Sequence, residues 1–600
     1  MKIEVGNRLL ASYLLYIWVI WLCECVDLFC FLTSLPQQTV FSRLIILFFV
    51  VFLILKIRGK YLFYRPPKKY DMFKIAGIIS IILVGIVKSI YPDKSYDVGN
   101  YHLIAQNMDF VNYFEIGFGG GNFQIWGFRL GDRLFSPFIN TLGYRQGTIL
   151  NALVIALLYV QVSDLIDSMI VEEYKKQKLF NSSVLAILVV FVHDVAMEMS
   201  TYMVDLLALP LLIEMLRICV VNDKNSRHEY FAVLAGIAFA IKITNVVFII
   251  PLLLVYLIKN RKRIKGIDWI KCFAIGLIPS VIYVIYNCAC TGSPVFPYMN
   301  SVFKSRYFLW QNFHDNRWGP TNIKEVCLWI FYHIFMPKYR QSEIPNRWTL
   351  NITISLIIFV VCVLISINAV YRKEKHTLPI EIYVVFIISG VLWAITTGYS
   401  RYFVLGDVLL LLIFLGSFTS LINKKIIRCG FATALIAVML LCSCLEILDV
   451  LLGREWSWRR PGRQSVLDEL NYVFRDQPET FAVEQDIDAF FLTESYYGGF
   501  AFLSNKEAPI FNAPYRGCLE EKNLHLYDKS FQEILTKEKI YDVKPHNYNK
   551  WELYESELKN YGLEIADKCV VNNGGFELLY IRLSKCHFDD DKQEALFSSP

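Results

Sequence analysis

The sequence contains few charged residues for its length. Only 19% of its 600 residues are Asp, Glu, Lys or Arg, whereas 55% are hydrophobic and the mean hydropathy is +0.40. This composition excludes an ordinary soluble enzyme, because a soluble chain needs a largely polar surface. The composition therefore indicates a polytopic membrane protein.

Several features of other protein classes are also missing. No glycine-rich dinucleotide fingerprint follows a predicted strand, and no internal repeat is visible. The 15 cysteines show no metal-ligand spacing, and most lie in apolar runs, where Cys behaves as a small apolar residue. Only Cys327, Cys518, Cys569 and Cys586 fall in segments expected on the outer side of the membrane, where a pair could be bridged. The first apolar run has no cleavage pattern and is interpreted as a retained helix.

Long apolar runs dominate the first three quarters of the chain. A helix needs about 20 residues to cross about 30 Å of hydrocarbon, so we expect about thirteen crossings, with three runs on the short side. The long runs are 9–32, 40–57, 74–91, 147–166, 203–221, 271–288, 350–371, 380–397, 402–422 and 430–451, and the short runs are 183–191, 230–241 and 246–258.

Basic loops predict the orientation of these helices. With thirteen crossings, basic clusters at 56–69, 175–178, 259–265, 372–375 and 424–428 all fall on one side. Short loops rich in Lys and Arg stay in the cytoplasm. The N-terminus is then cytoplasmic, and the outer side receives segments 92–146 and 289–349, the turn at Ser400, and the tail after Leu452.

The composition turns polar near residue 453. We therefore expect a multi-pass membrane domain at 1–452 and a small extracytoplasmic α+β domain at 453–600. The predicted strands are TFAVEQ, AFFLTES, GFAFLS, LEIADKCVV and FELLYIRL, and the predicted helices are 464–474 and 529–537. An NNGGF turn predicts a hairpin between the last two strands.

Five polar signatures interrupt or border the apolar runs. A charge there is costly and therefore suggests a function. The signatures are YDVGNYHL at 96–103, EMSTYMVDL at 198–206, AIKITN at 240–245, TGSPVFPY at 291–298 and SRYFVL at 400–405.

Asp97 is the candidate catalytic acid or base. It lies in the first outer loop, in a stretch that could form an interfacial helix, and its alternative role is a helix cap or a solvated acid. Lys242 and Arg401 are candidate phosphate ligands, because an Arg can grip phosphate oxygens with two hydrogen bonds. For both cations the alternative is an interfacial side chain that reaches toward water.

In their order, these signatures resemble the polyprenyl-phosphate-dependent GT-C glycosyltransferases, which include protein mannosyltransferases and the aminoarabinose transferases that modify lipid A. The resemblance covers about residues 72–422. It rests on five matches: Asp97, Tyr101 and His102 to a D-x-x-x-Y-H loop; Tyr202, Asp205 and Leu206 to Y-x-D-L with one residue inserted; Lys242 and Thr244 to K-x-T; 291–297 to TGNPVFP with Ser293 for Asn; and Arg401 with Tyr402 to R-Y.

Two departures from the family pattern are visible. Val98 stands where many members have a second acid, so no paired-carboxylate mechanism carries over. RLFSPFINTLG replaces the proline-rich segment often found before the fourth helix, which leaves acceptor contacts there unassigned.

The resemblance implies a glycosyltransferase in a bacterial plasma membrane. It would move a sugar with inversion from a polyprenyl-phosphate donor to a cell-envelope glycan, lipid or protein, without a cofactor. Asp97 would be the general base and Lys242 and Arg401 would bind the donor phosphate. The implied substrate contacts are Tyr101, His102, Glu198, Tyr202 and Asp205.

A metal ion and two other functions are the alternatives. His193, Asp194 and Glu198 lie on one predicted outer turn that His102 could approach, so a divalent cation could bind there, although structural hydrogen bonding explains such a cluster equally. Arginines at 306, 317, 340 and 347 would suit an O-antigen polymerase or ligase. A polysaccharide or lipid transporter would be expected to show inverted repeats, and none is visible. No nucleic-acid partner is expected.

Overall fold

The structure is a computed structural model, and it is mostly helical with a small C-terminal sheet. It describes residues 3–5, 8–33, 62–64, 72–93, 95–110, 114, 124–169, 181–221, 228–261, 266–313, 315, 317–336, 339–341, 352–361, 380–423, 429–451, 486–505, 508–545, 548–573 and 576–586.

Seventeen helices precede the C-terminal sheet in the described residues. In chain order they are α1 Arg8–Thr33, α2 Met72–Lys88, α3 Leu103–Asn107, α4 Leu130–Gln146, α5 Ile149–Met169, α6 Ser182–Val190, α7 His193–Glu198, α8 Leu209–Val221, α9 His228–Ile241, α10 Val246–Asn260, α11 Gly266–Thr291, α12 Asn300–Phe303, α13 Ile323–Phe335, α14 Ile352–Val361, α15 Ile380–Thr396, α16 Val404–Asn423 and α17 Cys429–Leu451.

Twelve of the thirteen predicted apolar runs coincide at least in part with these helices, and the run at 40–57 lies outside the described residues. Within the described residues, four helices are long and apolar enough to cross a membrane: Leu9–Thr33, Ile149–Met169, Ile243–Asn260 and Ile270–Thr291. The full set of thirteen crossings stays a prediction. Several other helices are shorter because polar residues divide the apolar sequence, as His193 and Asp194 do between α6 and α8.

Three short 3₁₀ turns lie at breaks between helices. They are Asp205–Ala208 before α8, Ile243–Asn245 between α9 and α10, and Ser400–Phe403 before α16. Each break follows or contains a charged residue in an otherwise apolar sequence, and it allows that side chain to leave the lipid-facing helix surface.

The C-terminal unit, residues 486–586, is built on a five-stranded mixed sheet. Its strands are β3 Ala489–Leu492, β4 Ile510–Asn512, β5 Ile540–Pro545, β6 Leu563–Asn573 and β7 Phe576–Lys585, and its longer helices are α18 Gly498–Ser504, α19 Leu524–Leu535 and α20 Trp551–Asn560. A separate parallel pair, β1 Ile3–Val5 and β2 Leu62–Tyr64, lies near the N-terminus.

The strand order in the C-terminal sheet is β4-β3-β5-β7-β6. The first three strands run parallel, with Phe490 opposite Ile510, and β6 and β7 form the predicted antiparallel hairpin, with Asn573 opposite Phe576. Side chains alternate between the faces of a strand, so Phe490 joins the core that extends into the membrane helices whereas Phe491 packs in a second core under α19.

One strand prediction is wrong. GFAFLS forms α18 rather than a strand, because a short apolar run fits a buried helix as well as a strand. The predicted strand at AFFL and the predicted helix at 529–537 are present, while TFAVEQ and the helix at 464–474 lie outside the described residues. Cys327, Cys518, Cys569 and Cys586 are all free thiols.

Candidate functional site

The stretch that contains Asp97 forms the loop helix, residues 96–107, which starts with a π-helical turn at Val98–His102 and continues as α3. Asp93 holds the residues just before this helix in place. The Asp93 carboxylate accepts hydrogen bonds from the Ser95 backbone N–H at 2.9 Å, the Ser95 hydroxyl at 2.7 Å and the Tyr202 backbone N–H at 2.7 Å. Burial raises the pKa of Asp93, although these hydrogen bonds favour its charged form.

Asp97 is held by Arg401. A guanidinium nitrogen of Arg401 donates to Asp97 Oδ2 at 2.6 Å, and the Asp97 side chain is 27% exposed, whereas that of Arg401 is only 7% exposed. Burial alone would raise the pKa of Asp97, but the positive charge and hydrogen bond of Arg401, with help from His102 and Lys242, outweigh it and hold the pKa below its usual range. Asp97 is therefore an ionised carboxylate with an opening toward solvent.

A second ion pair lies beside the first. Lys242 donates to Asp205 Oδ1, and Arg401 Nε lies 3.6 Å from Asp205 Oδ2. The side chains of Lys242 and Asp205 are 13% and 6% exposed. We call Asp97, Asp205, Lys242 and Arg401 the charge cluster. Its two negative and two positive charges balance each other.

Aromatic rings cover the cations of the charge cluster. The Lys242 ammonium lies 4.2 Å from the centre of the Tyr402 ring, and the Arg401 guanidinium lies 5.3 Å from the same ring and 5.4 Å from the Tyr399 ring. Such contacts strengthen when water is excluded. The aromatic cover keeps both cations close together in a largely dry site.

The four charges of the cluster lie at the ends of helices or in the short turns between them. Asp97 begins the loop helix, Asp205 and Arg401 lie in 3₁₀ turns, and Lys242 is an extended residue directly after α9. A charge inside an apolar helix is costly in a bilayer, so these positions favour a helix end or a turn. Segments distant in sequence, with Asp97 and Arg401 separated by 304 positions, thereby meet at one point.

Glu198 and Asp194 lie near the charge cluster without complete hydrogen bonding. Both carboxylate oxygens of Glu198 and Oδ2 of Asp194 are buried and have no hydrogen-bond partner among the described residues. Glu198 is 4% exposed, and its electrostatic neighbours include Asp205, Arg401 and Lys242. A buried carboxylate in this state is costly unless it is protonated or meets a ligand.

His102 pairs with an acid that the sequence did not single out. His102 Nδ1 lies 2.5 Å from Asp132 Oδ1 in α4. The Tyr101 and His102 rings lie 4.2 Å apart. Among the described residues, no group of three or more His, Cys, Asp or Glu is arranged to hold a metal ion.

Tyr202 is fully buried and its polar groups are engaged. Its backbone N–H donates to Asp93 and its hydroxyl donates to the carbonyl of Tyr144. Tyr144 in turn donates to the carbonyl of Asp93. These bonds connect the segment before Asp205 to the entry of the loop helix.

The TGSPVFP segment forms the turn after α11 and, among the described residues, makes no hydrogen bond or ion pair with the charge cluster. The Thr291 hydroxyl donates to the carbonyl of Asn287 at 2.7 Å and accepts from the Ser293 backbone N–H at 3.2 Å. Phe296 is fully buried against Phe114, Trp126 and Phe308.

The loop arginines that favoured a polymerase are dispersed. Arg317 pairs with Asp315 on the surface at 2.7 Å, Arg306 donates to the Tyr307 hydroxyl at 2.7 Å, and position 347 lies outside the described residues. A different buried pair, His333 with Asp407 at 3.2 Å, links α13 to α16. The sequence offers one signal for this pair, because Asp407 is an acid within the predicted apolar run 402–422.

The C-terminal unit borders the charge cluster. The Tyr496 ring stacks on Tyr96, the residue before Asp97, with ring centres 5.3 Å apart and planes 3° apart. Gly99 and Gly499 permit this contact: a Cβ on Gly99 would lie 2.7 Å from the Tyr496 carbonyl oxygen, and one on Gly499 would lie 2.8 Å from that of Gly99.

These features fit a helical membrane protein with buried charges at helix breaks. The chain belongs to the family described as Domain of unknown function (DUF8201), which it matches over residues 17–409. The match includes all four residues of the charge cluster and ends before the C-terminal unit. No curated protein matches the chain.

Proposed function

We propose that the protein is a membrane glycosyltransferase that moves a sugar from a polyprenyl-phosphate donor to a cell-envelope acceptor with inversion. The charge cluster carries this proposal. Transfer from a phosphate leaving group needs a base for the acceptor and cations for the phosphate. Asp97, Lys242 and Arg401 offer that combination within one site.

The donor phosphate would bind Lys242 and Arg401. Both cations already contact carboxylate oxygens, and an Arg fork donates to phosphate oxygens in the same geometry. The phosphate would therefore replace Asp97 as the partner of Arg401. Asp205 would keep Lys242 oriented, because it contacts both cations.

The released Asp97 would then act as general base. An acceptor hydroxyl or amine attacks the anomeric carbon while the bond from that carbon to the phosphate oxygen breaks, and its electron pair leaves with the phosphate. The acceptor proton passes to Asp97. The growing negative charge on the phosphate falls between Lys242 and Arg401, which stabilise it without a proton donor.

The other predicted site residues receive separate roles. Tyr101, His102 and Glu198 border the charge cluster and are proposed to contact substrate, with the incomplete bonding of Glu198 as the supporting observation. Tyr202 is proposed to position the loop helix, since its hydroxyl and N–H bind Tyr144 and Asp93.

Lys242→Ala and Arg401→Ala should test the phosphate assignment. Loss of one charge-assisted contact, about 1.5–3 kcal/mol, should weaken undecaprenyl-phosphate binding by about 10- to 100-fold, with a parallel loss of transfer. Binding would be measured on purified protein in lipid nanodiscs, and transfer with a panel of undecaprenyl-phosphate sugars.

Lys271→Ala is the matched control for these variants, because Lys271 pairs with Glu229 on an exposed surface. Arg401→Lys checks folding, since it keeps the charge but removes the fork. Wild-type affinity in both alanine variants would remove these residues from the donor site.

A further inference from the structure

A second group of charges, buried except for Asp109, lies apart from the charge cluster and is centred between α1 and α4. Glu24 Oε1 accepts from Arg133 Nε at 2.5 Å, and Glu24 Oε2 lies 3.3 Å from Arg129 Nε. Asp27 and Asp109 lie 3.6 and 3.9 Å from Arg133 Nη2. Three acids against two arginines give this group a net charge of −1, so it does not suit an anion.

Uncharged polar groups beside these charges have no partner. Gln106 and Asn287 are at most 1% exposed, and neither the amide nitrogen nor the amide oxygen of either residue has a hydrogen-bond partner among the described residues. The Tyr283 hydroxyl, also buried, has none. Unmet polar atoms at these positions are costly. Their polar atoms are therefore available to a hydrogen-bonding ligand.

Contacts place these groups in one region. Arg133 Nη1 donates to the backbone oxygen of Gln106 at 3.0 Å. The Phe110 ring lies 4.0 Å from the Arg129 guanidinium and 6.4 Å from the Tyr283 ring. Asn287 follows Tyr283 by one helical turn on α11 and therefore shares its face.

We propose that this region, the α1 polar site (Glu24, Gln106, Arg129, Tyr283 and Asn287), binds a sugar residue of the acceptor. Amide and phenol groups both donate and accept hydrogen bonds, as sugar hydroxyls do, and the net charge disfavours an anionic ligand. The rings of Phe110 and Tyr286 add apolar faces beside Arg129. Binding sites combine such aromatic walls with a few polar groups that set orientation.

The position of the site suits an acceptor glycan, and this part of the inference rests on the proposed function. Gln106 follows Asp97 by nine positions on the loop helix, about 13 Å along its axis. His102 lies between them, and its Nε2 also has no partner among the described residues. A glycan of several sugars would span this distance and present its reactive end to Asp97. Asp109, 36% exposed, marks the solvent edge.

Asn287→Leu and Gln106→Leu test whether the unpartnered amides bind a sugar or only lack hydrogen-bond partners in the folded protein. Purified protein would be titrated with glucose, galactose, mannose, N-acetylglucosamine and their β-linked oligosaccharides, with Tm and tryptophan fluorescence as readouts. Trp126 reports directly, because its ring lies 5.4 Å from Tyr286. We expect at least one sugar to raise the Tm of the wild-type protein.

In both leucine variants, the ligand-free Tm should rise and the sugar-dependent shift should disappear, because an unmet amide has been removed together with a ligand contact. Asn300→Leu is the matched control. The Asn300 amide donates to the carbonyls of Ser305, Phe308 and Leu309. This variant should therefore have a lower Tm than the wild-type protein but keep the sugar-dependent rise in Tm.

Three results would overturn the proposal. One is that no sugar changes the Tm of the wild-type protein. Another is that the leucine variants bind sugar as the wild-type protein does. The third is a lowered ligand-free Tm in Asn287→Leu, as in the control, which would mean that water alone satisfies the amide. Undecaprenyl-phosphate binding, measured in parallel, tests the donor site separately, so either site can fail without the other.

Discussion

Arg401 is the residue on which the electrostatics of the site depend. It contacts Asp97 at 2.6 Å and approaches Asp205 at 3.6 Å, while Lys242 neutralises Asp205. Removal of one partner from a buried ion pair usually costs more than the pair contributes, because an uncompensated charge remains. The four residues therefore act as a unit.

Asp97→Asn should separate catalysis from donor binding. It retains the shape of the side chain and removes its basicity, so transfer should fall by about 10² to 10⁴. Undecaprenyl-phosphate should bind more tightly, because a neutral amide competes less well for Arg401. Transfer rates and lipid affinities in nanodiscs would measure both effects.

Asp315→Asn is the control for this variant, since it removes an acid from an exposed pair with Arg317. If Asp97→Asn transfers sugar at the wild-type rate, Asp97 is not the base. Glu198 and Asp205 would then be the next acids to replace.

The pH dependence should differ between the free and donor-bound protein. In the free protein Arg401 holds the pKa of Asp97 below its usual value, so the base is lost only when the pH falls through that lower value. Donor phosphate would withdraw Arg401 and add negative charge, which raises the pKa. The acid limb of kcat should therefore lie at higher pH than that of kcat/KM; coincident limbs would argue that Arg401 stays on Asp97.

The sequence identified most charges of the site but not their pairing. Asp97, Asp205, Lys242 and Arg401 stood out because charges are rare beside apolar runs. Which acid pairs with which cation depends on helix packing. Asp97 and Arg401 are separated by 304 positions, so no local sequence pattern reveals that they pair. Asp132 and Glu24 were missed because their partners, His102 and Arg133, lie in other helices.

At the level of elements, apolar periodicity located the helices well and their ends poorly. Predicted run 203–221 begins as helix α8 only at Leu209, after the 3₁₀ turn of Asp205. Run 402–422 likewise follows the turn of Arg401. In both cases a residue that forms a tertiary ion pair, Asp205 or Arg401, lies just before the first residue of the helix. Hydropathy alone does not contain that information.

Gly236→Ala should destabilise the packing of α9 against α11. A Cβ on Gly236 would lie 2.0 Å from the backbone oxygen of Gly276, so the helices would have to separate, at a cost of about 1–3 kcal/mol. The Tm of purified protein would show the loss.

Gly430→Ala provides the comparison within another helix. A Cβ on Gly430 meets nothing within 4 Å, and Ala favours helix by up to about 1 kcal/mol. Its Tm should therefore stay unchanged or rise slightly. Equal Tm values for both variants would show that the close approach of α9 and α11 does not limit stability.

At the level of the whole molecule, the crossing number determines where the C-terminal unit lies. The predicted thirteen crossings would place the basic segment at 259–265 in the cytoplasm and the C-terminal unit outside. Four helices of the described residues meet the length and composition needed to cross a membrane, so the odd total remains to be tested.

Reporter fusions at Lys262 and Lys585 should report opposite compartments. Alkaline phosphatase and green fluorescent protein fused at each position would measure this in cells. A fusion within β1, near the N-terminus, should report the same compartment as Lys262. Identical signals at Lys262 and Lys585 would mean that the predicted number of crossings is wrong.

The contact between Gly99 and Gly499 has a consequence for how such proteins diverge. A chain ending at Leu451 would retain the entire charge cluster, yet the loop helix would lose the surface formed by Tyr496 and α18. Recombination that exchanged C-terminal units between relatives would have to preserve both glycines and the stacked tyrosines. The two parts of the chain should therefore be inherited together, even though the sequence divides them clearly.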